Sequence, residues 1–403
     1  FLLAASEFVD GCIVGDGEPT VVALADGMRL AHSWTNLPNL VIREGADIRA
    51  ARREEILRLD ALPWPCYRRE YYPAIYGGGK FRVFTVRESR GFDHVPHTAQ
   101  RSPFEPHQVR VRSPRRVCDE LRALSRDCGA RAFHFLGSAT PAAAFDAICR
   151  EILGECLHIC YSRAGHVRHT DPAAVSTLRD SGCRAIQFQV DTGSQRLLED
   201  YYGHDFGVTT IETVFRACRD AELFIEARFT YPCPEDDYHA RAETLRLVRR
   251  SLPHAVRLAL PEAAPGSDWW DFAREFGFHI DPRAVAHWAA AAADPFAAPY
   301  AHASHGMKGR RAAEIRREYT GLLSDLQFEG FPTAVTAREA LLARLCGQHN
   351  AEASYSERLR ELLFVGDAEA LAAQVRAFND RAVVPANTIP FVPYTSVRAA
   401  VGN

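Results

Sequence analysis

Only two lysines occur in the chain, Lys80 and Lys308, and arginine supplies every other basic residue. Methionine is equally scarce, with two residues. Both shortages speak of coding composition rather than of function. No apolar run approaches the ~18 residues needed to cross a bilayer, which excludes a helical membrane protein. Eleven cysteines in 403 residues are too sparse for a disulfide scaffold. They are expected to be reduced thiols of a cytoplasmic protein. A formal net charge of −3 gives no basic field for nucleic acid or an anionic membrane surface. Phosphate loops, hydrolase elbows and zinc-protease motifs are missing too. The chain opens at Phe1 without an initiating methionine or a signal peptide, as a piece of a longer protein would. What is present is globular: 47% hydrophobic and 25% charged residues. At roughly 150 residues per domain, two or three domains are expected.

The first residues read as one strand, Phe8 to Val14, and one helix, Thr20 to Met28, with Pro19 in its first turn. Residues 30–80 hold Pro38, Pro63, Pro65, Pro73 and Gly77-Gly78-Gly79. They read as an extended connector with one short helix from Ala50 to Leu57. From Phe81 a unit repeats. Strand patterns cover Phe81–Ser89, Ala130–Ser138, Cys156–Arg163, Arg184–Asp191, Phe224–Tyr231 and Ala255–Leu260. Helix patterns lie between them, near 114–128, 141–153, 171–181, 208–221, 238–251 and 267–277. Ser113-Pro114 and Asp171-Pro172 pair a capping residue with a first-turn proline. Gly129, Gly182 and Gly277 stand where helices should stop. Six strand–helix units predict an α/β fold, a partial parallel β/α barrel, with an open doubly wound sheet as the alternative. Either arrangement places ligands at the C-terminal strand ends. Helical periodicity returns at Ala312–Leu326, Ala337–Leu345, Tyr355–Leu363 and Asp367–Phe378, after an alanine-rich stretch from Trp288 to Ala298.

Several segments then line up in order: Ser89-Arg90-Gly91 after a strand, Phe133-His134-Phe135-Leu136, Cys160-Tyr161-Ser162-Arg163, Gln187 through Arg196, and Pro265-Gly266-Ser267. This order resembles the radical S-adenosylmethionine (SAM) enzymes, in particular their cobalamin-binding branch, over residues 81–285. The resemblance implies a six-unit partial barrel of radical-SAM type. It divides the chain into the tail of a cobalamin-domain-like unit (1–28), a linker (29–80), the barrel (81–285) and a helical C-terminal domain (286–403). Phe8-Val9-Asp10 through Gly15 to Thr20 resembles the end of that cobalamin domain, its last strand and helix before the linker. Its Asp-x-His-x-x-Gly signature does not occur here, so cobalamin is implied only with an upstream domain.

One departure stands out. The family sets Cys-x-x-x-Cys-x-x-Cys directly after Ser-Arg-Gly, and those three thiolates hold a 4Fe–4S cluster. In this chain the three positions fall on Phe92, Pro96 and Ala99. None offers a ligand to iron, so no cluster is expected. Cys156-x-x-x-Cys160 has the first spacing but lies on a strand pattern, and Arg163 replaces its third member.

For SAM, the resemblance and the strand ends point to Ser89, Arg90, Gly91, Ser162, Arg163, Gln189, Asp191 and Arg228. These are expected to line one cavity, bordered by Phe92. His134, Glu226 and Tyr231 are the candidate acid–base residues. Asp93, His94 and His97 are weak candidates for a metal, with a polar surface loop as the plain alternative. The expectation is a SAM- or cobalamin-dependent group-transfer enzyme, methyl transfer foremost, acting on a small molecule in biosynthesis. The alternative is a non-catalytic relative supporting a protein partner.

Overall fold

The structure is a computed structural model that describes residues 9–29, 36–45, 47–68, 70–72, 83–92, 96–97, 108–137, 139–261, 263, 266–280, 305–307, 309–348 and 351–382. Asp93, His94, Ala99 and the alanine-rich stretch from Trp288 to Ala298 lie outside the described residues. No helix among the described residues is long and apolar enough to cross a membrane.

Near the N-terminus, β1 (Gly11–Ile13) is followed by helix α1 (Glu18–Arg29). β1 pairs antiparallel with β2 (Leu40–Glu44), which pairs with β3 (Asp47–Ala50). The short helix expected from Ala50 to Leu57 does not form; a single 3-10 turn, Leu59–Ala61, comes later. Tertiary hydrogen bonds take that segment instead. The Glu54 N–H donates to Asn39 Oδ1, and the Ile56 N–H donates to Asp16 Oδ2, each at 2.8 Å. Such contacts outweigh the local propensity of a charged run.

The repeating region follows. β4 (Val83–Val86) leads into a small antiparallel pair, β5 (Ser89–Arg90) with β6 (Arg110–Val111). Then come α2 (Pro114–Asp127), β7 (Ala132–Phe135), α3 (Ala142–Gly154), β8 (Cys160–Gly165), α4 (Val175–Asp180), β9 (Cys183–Asp191), α5 (Val208–Asp220), β10 (Phe224–Thr230), α6 (Tyr238–Ser251) and β11 (Ala255–Ala259). The strands form one six-stranded sheet in the order β11-β10-β9-β8-β7-β4, parallel at every step. Sequential parallel neighbours joined by helices are what a partial β/α barrel requires. Capping follows the sequence: Ser113 accepts from the Arg116 N–H before a first-turn proline, and Asp237 accepts from the Ala240 N–H.

Three sequence expectations shift. β8 begins at Cys160, and Cys156 sits before it with φ 50°, so Cys156, His158 and Cys160 do not share a strand. The 171–181 helix starts as a 3-10 turn, Pro172–Ala174. The 267–277 helix is one turn, α7 (Asp268–Asp271), whose Trp269 is fully buried against Tyr201, Tyr202 and Phe278.

The sheet has two faces because side chains alternate along each strand. Phe133, Phe135, Tyr161, Ile186, Phe188 and Ile225 point outward and pack with the helices as the main core. The inner face starts with Ala132, Cys160, Ala185, Phe224 and Ala255, one from each of five neighbouring strands. A further hairpin, β12 (Phe278–Ile280) with β13 (His305–Met307), precedes helices α8 (Ala312–Phe328), α9 (Ala337–Leu345), α10 (Glu352–Val365) and α11 (Ala368–Ala382). Ala337, Ala340 and Leu341 of α9 pack on those inner-face residues. All but Phe224 are small, which lets the helix approach and close the N-terminal end of the partial barrel.

Candidate functional site

The named residues assemble in two groups. The first lies in a cleft of about 750 Å³. One wall is the β1–α1 turn, Gly15 to Glu18, with Val21 and Val22. The other is Ser89, Arg90, Gly91 and Phe92 beyond β4, with Leu136, Gly137 and Ala139 beyond β7. Phe92 therefore borders the cleft. Gly91 takes φ 88°, which a glycine adopts without strain. A side chain at Gly137 would collide with Ser89 Oγ, Thr140 Oγ1 and the Glu88 carboxyl, so only glycine lets these two strand ends meet.

Arg90 does not project into the cleft as a free cation. It pairs with Asp16 at 2.8 Å and with Glu18, while Arg110 also pairs with Asp16. Burial alone would raise the Asp16 carboxyl. The hydrogen bonds from Arg110, the Ile56 N–H and Arg90 outweigh it, and the carboxyl sits below its ordinary value. Hydrogen bonding from Arg90 likewise lowers Glu18. This cluster ties the β1–α1 turn to the β5–β6 pair that follows the first barrel strand.

Glu88, which the sequence reading did not single out, lies beneath Ser89. It is fully buried and accepts from the Gly137 N–H at 3.0 Å and from Thr140 Oγ1 at 3.2 Å. Burial pushes its carboxyl up, partly offset by the charge of Arg163. Thr140 Oγ1 also meets Ser89 Oγ at 2.7 Å. The only sequence signal was its place immediately before Ser89-Arg90-Gly91.

The second group lies on the inner face. His134 Nδ1 and Ser162 Oγ are 2.8 Å apart and buried. Burial, then the charge of Arg338, brings the His134 pKa down to about 4. Its imidazole is therefore neutral at pH 7. Gln189 and Arg228 are register neighbours on β9 and β10. Above them, Asp191 takes φ 68°, a left-handed conformation that aspartate tolerates. Its Oδ2 meets His204 Nε2 at 2.7 Å, and its Oδ1 accepts from Thr230 Oγ1 and Gln189 Nε2, each at 2.6 Å. Burial would raise this carboxyl; His204 and the other donors lower it. Both oxygens are thus engaged within the protein. His204, thirteen residues on in sequence, is the partner that sequence reasoning missed.

Three candidates do not offer a free group to the site. Arg163 faces the helices, not the inner face. It follows Ser162 directly, so strand alternation sends the two side chains to opposite sides. Its guanidinium lies 3.6 Å over the Phe145 ring. Glu226 is fully buried, and its Oε2 accepts from the Ala337 N–H at 2.7 Å. Tyr231 is buried, which pushes its hydroxyl up to about 12. The expectation of a single cavity holding Arg163 and Asp191 together is therefore corrected.

Of the metal candidates, His97 is described. Its Nδ1 meets Asp268 Oδ2 at 2.6 Å, and its backbone bonds Tyr202 and Trp269. Among the described residues no group of three or more His, Cys, Asp or Glu side chains converges as a metal site.

No protein-family model matches the chain. It is 23% identical over 274 residues to an uncharacterized methyltransferase of Pyrococcus horikoshii, covering 66% of this chain and 58% of that one. Among solved structures it resembles TsrM of Kitasatospora setae, a radical SAM methyltransferase with tryptophan substrate and a SAM analog bound. The TM-score is 0.55 at 14% identity, over 68% of this chain and 57% of that one. It also resembles OxsB, a cobalamin-dependent SAM radical enzyme with aqua-cobalamin and SAM bound, with TM-score 0.54 at 11% identity over 93% of this chain and 64% of that one. The chain spans less than two thirds of the length of each of these relatives. With six parallel strands in sequence order and helices outside, it has the fold of the cobalamin-dependent radical SAM enzymes.

Proposed function

We propose that the chain binds SAM in the cleft beyond β4 and serves as a group-transfer enzyme, methyl transfer foremost, acting on a small molecule in biosynthesis. The carrying observation is the cleft itself: about 750 Å³ at the C-terminal ends of two barrel strands, bordered by Ser89, Gly91, Phe92 and Gly137. A 4Fe–4S cluster does not fit the residues present. Phe92 and Pro96 hold two of its three ligand positions, Ala99 the third, and no cysteine lines the cleft. Polar transfer fits better. An acceptor's electron pair attacks the methyl carbon, and S-adenosylhomocysteine leaves with the sulfonium pair, a step that needs alignment rather than a radical. Cobalamin would join only with an upstream domain, which the β1–α1 turn would adjoin. The same loss of thiolates favours a second reading, a non-catalytic relative that supports a protein partner.

Calorimetry with SAM and S-adenosylhomocysteine on the purified chain tests the first reading. Micromolar binding is expected. Val22→Trp, on the exposed side of α1, and Ala139→Phe should weaken it about tenfold. Arg163→Met should leave it within about twofold, since Arg163 faces the outer helices. Binding of neither ligand to the wild type moves the function to the second reading.

A further inference from the structure

On the inner face, Arg228 of β10 stands directly beside Arg257 of β11 in register. Neighbouring strands run about 4.8 Å apart, so the two side chains leave the sheet side by side. Gln189 of β9 completes the row. The row beneath holds Gln187, Glu226 and Ala255.

Like charges this close need a counter-ion. Among the described residues, the protein supplies only part of one. Glu226 gives its Oε2 to the Ala337 N–H, and its Oε1 has no hydrogen-bond partner although fully buried. The Arg228 Nε is 3.9 Å from that Oε1, beyond hydrogen-bond reach. Arg257 makes no hydrogen bond or ion pair with the described residues. Among the described residues, two guanidiniums therefore face one committed carboxyl group, the Glu339 carboxylate being already paired with Arg360. Arg228 keeps 36% of its side-chain surface exposed, so a ligand can reach it. Burial raises the Glu226 carboxyl, while the Ala337 N–H and the charges of Arg257 and Arg228 act against that rise.

We propose that Arg228 and Arg257 form a two-arginine clasp for an oxyanion of the ligand, so that the substrate of this barrel carries a carboxylate or phosphate. Each guanidinium presents a planar fork of N–H donors, and two forks side by side match a group with two or more acceptor oxygens. One of the two Gln189 amide N–H donors is already given to Asp191, so the arginines supply most of the recognition. Naming the anion as the substrate's rests on the group-transfer reading. Anion binding itself is measured without SAM, so the two ideas fail separately.

The test is titration of the purified chain with inorganic phosphate and with succinate, followed by calorimetry and by 31P line broadening for phosphate. Millimolar binding is expected. The Arg228→Gln/Arg257→Gln double variant should weaken it at least about tenfold, equivalent to ~1.4 kcal/mol. Arg228→Lys/Arg257→Lys should lose less, because it keeps the charges without the forks. Arg250→Gln, in the surface cluster of Arg216, Arg219 and Arg250, should lose nothing. Near-ultraviolet circular dichroism checks the fold, and if the double glutamine variant unfolds, Arg257→Gln and the lysine pair decide. A second arm compares SAM with 5′-methylthioadenosine, which lacks the amino-acid carboxylate. If the double variant weakens phosphate, succinate and SAM but leaves 5′-methylthioadenosine unchanged, the clasp holds the SAM carboxylate and its assignment to the substrate is overturned. If it weakens phosphate and succinate but not SAM, the clasp serves the substrate. No millimolar anion binding to the wild type, equal binding to a folded double variant, or a loss that follows Arg250→Gln instead, overturns the proposal.

Discussion

Glu226 on β10 accepts the backbone N–H of Ala337, 111 residues away in sequence, at 2.7 Å. Ala337 begins α9, where unpaired N–H groups and the helix dipole favour an anion. Thr336 and Glu339 already cap this helix reciprocally, so the buried carboxylate of Glu226 adds a second anchor from the sheet. Its task is to fix α9 under the barrel. Glu226→Ala should cost on the order of 2–3 kcal/mol, by removing a buried hydrogen bond and leaving a buried N–H unpaired. Glu226→Gln keeps an acceptor and should cost less than about 1 kcal/mol. Urea denaturation of both variants checks this. An alanine variant as stable as wild type would return Glu226 to the list of acid–base candidates.

Two buried histidines make the fold sensitive to acid. Burial brings His134 down to about 4 and His254 down to about 3. His254 accepts the Ile225 N–H at 3.1 Å through Nδ1, a bond only the unprotonated nitrogen can make. In the unfolded chain each titrates near 6.5. The unfolded state therefore binds more protons as pH falls below ~6.5, and folding loses stability down to the folded values. Their contribution is fully present above ~6.5 and shrinks on acidification, by on the order of 2–3 kcal/mol per histidine. Denaturation midpoints measured from pH 8 to 4 should fall in that window. His134→Gln and His254→Gln should each flatten the fall, and an unchanged slope in both would show that carboxylates carry the acid transition instead.

The barrel's strands were legible because parallel strands, buried on both faces, read as short apolar runs between glycine stops. Gly182, at φ 112° against the Ile159 carbonyl, is one such stop that no other residue could fill. Side-chain direction was less legible. A strand boundary displaced by a few residues leaves the phase of Ser162 and Arg163 open, and one step of phase reverses every assignment. The engaged state of Asp191 was hidden for another reason: His204 reaches it from a separate loop, and no local pattern announces such a partner. Residues 50–57 failed as a helix because their backbone donors had better acceptors in Asp16 and Asn39, which are distant in sequence.

Asp236 should oppose the histidines. Burial pushes its carboxyl up to about 7, although its Oδ2 accepts the Cys233 N–H at 2.7 Å. Its folded value is raised above the ordinary ~3.9, so stability is full below ~3.9 and is lost as pH rises through about 7. Asp236→Asn keeps an acceptor for Cys233 and removes the ionisation. It should melt close to wild type at pH 4 and be more stable at pH 8 by about 1–2 kcal/mol. A variant less stable than wild type at pH 8 would mean that the ionised carboxylate is favoured, through Arg310.

The last prediction concerns iron. Purified without oxygen and reconstituted with iron and sulfide, the chain should hold no stoichiometric 4Fe–4S cluster. Phe92 borders the cleft where the family's first thiolate would stand, and burying apolar surface there disfavours a charged centre. Further along in sequence, His97 is bound by side chain to Asp268 and by backbone to Tyr202 and Trp269, so its imidazole is already committed within the protein. Cys156 is exposed and Cys160 buried, which separates the one pair with the right spacing. The triple variant Phe92→Cys/Pro96→Cys/Ala99→Cys supplies the missing thiolates and should take up more iron than wild type under the same treatment. Iron and sulfide analysis with absorbance near roughly 400 nm reads both proteins. About four irons per wild-type chain, with that band, would show that other ligands hold a cluster and would return radical chemistry to this barrel.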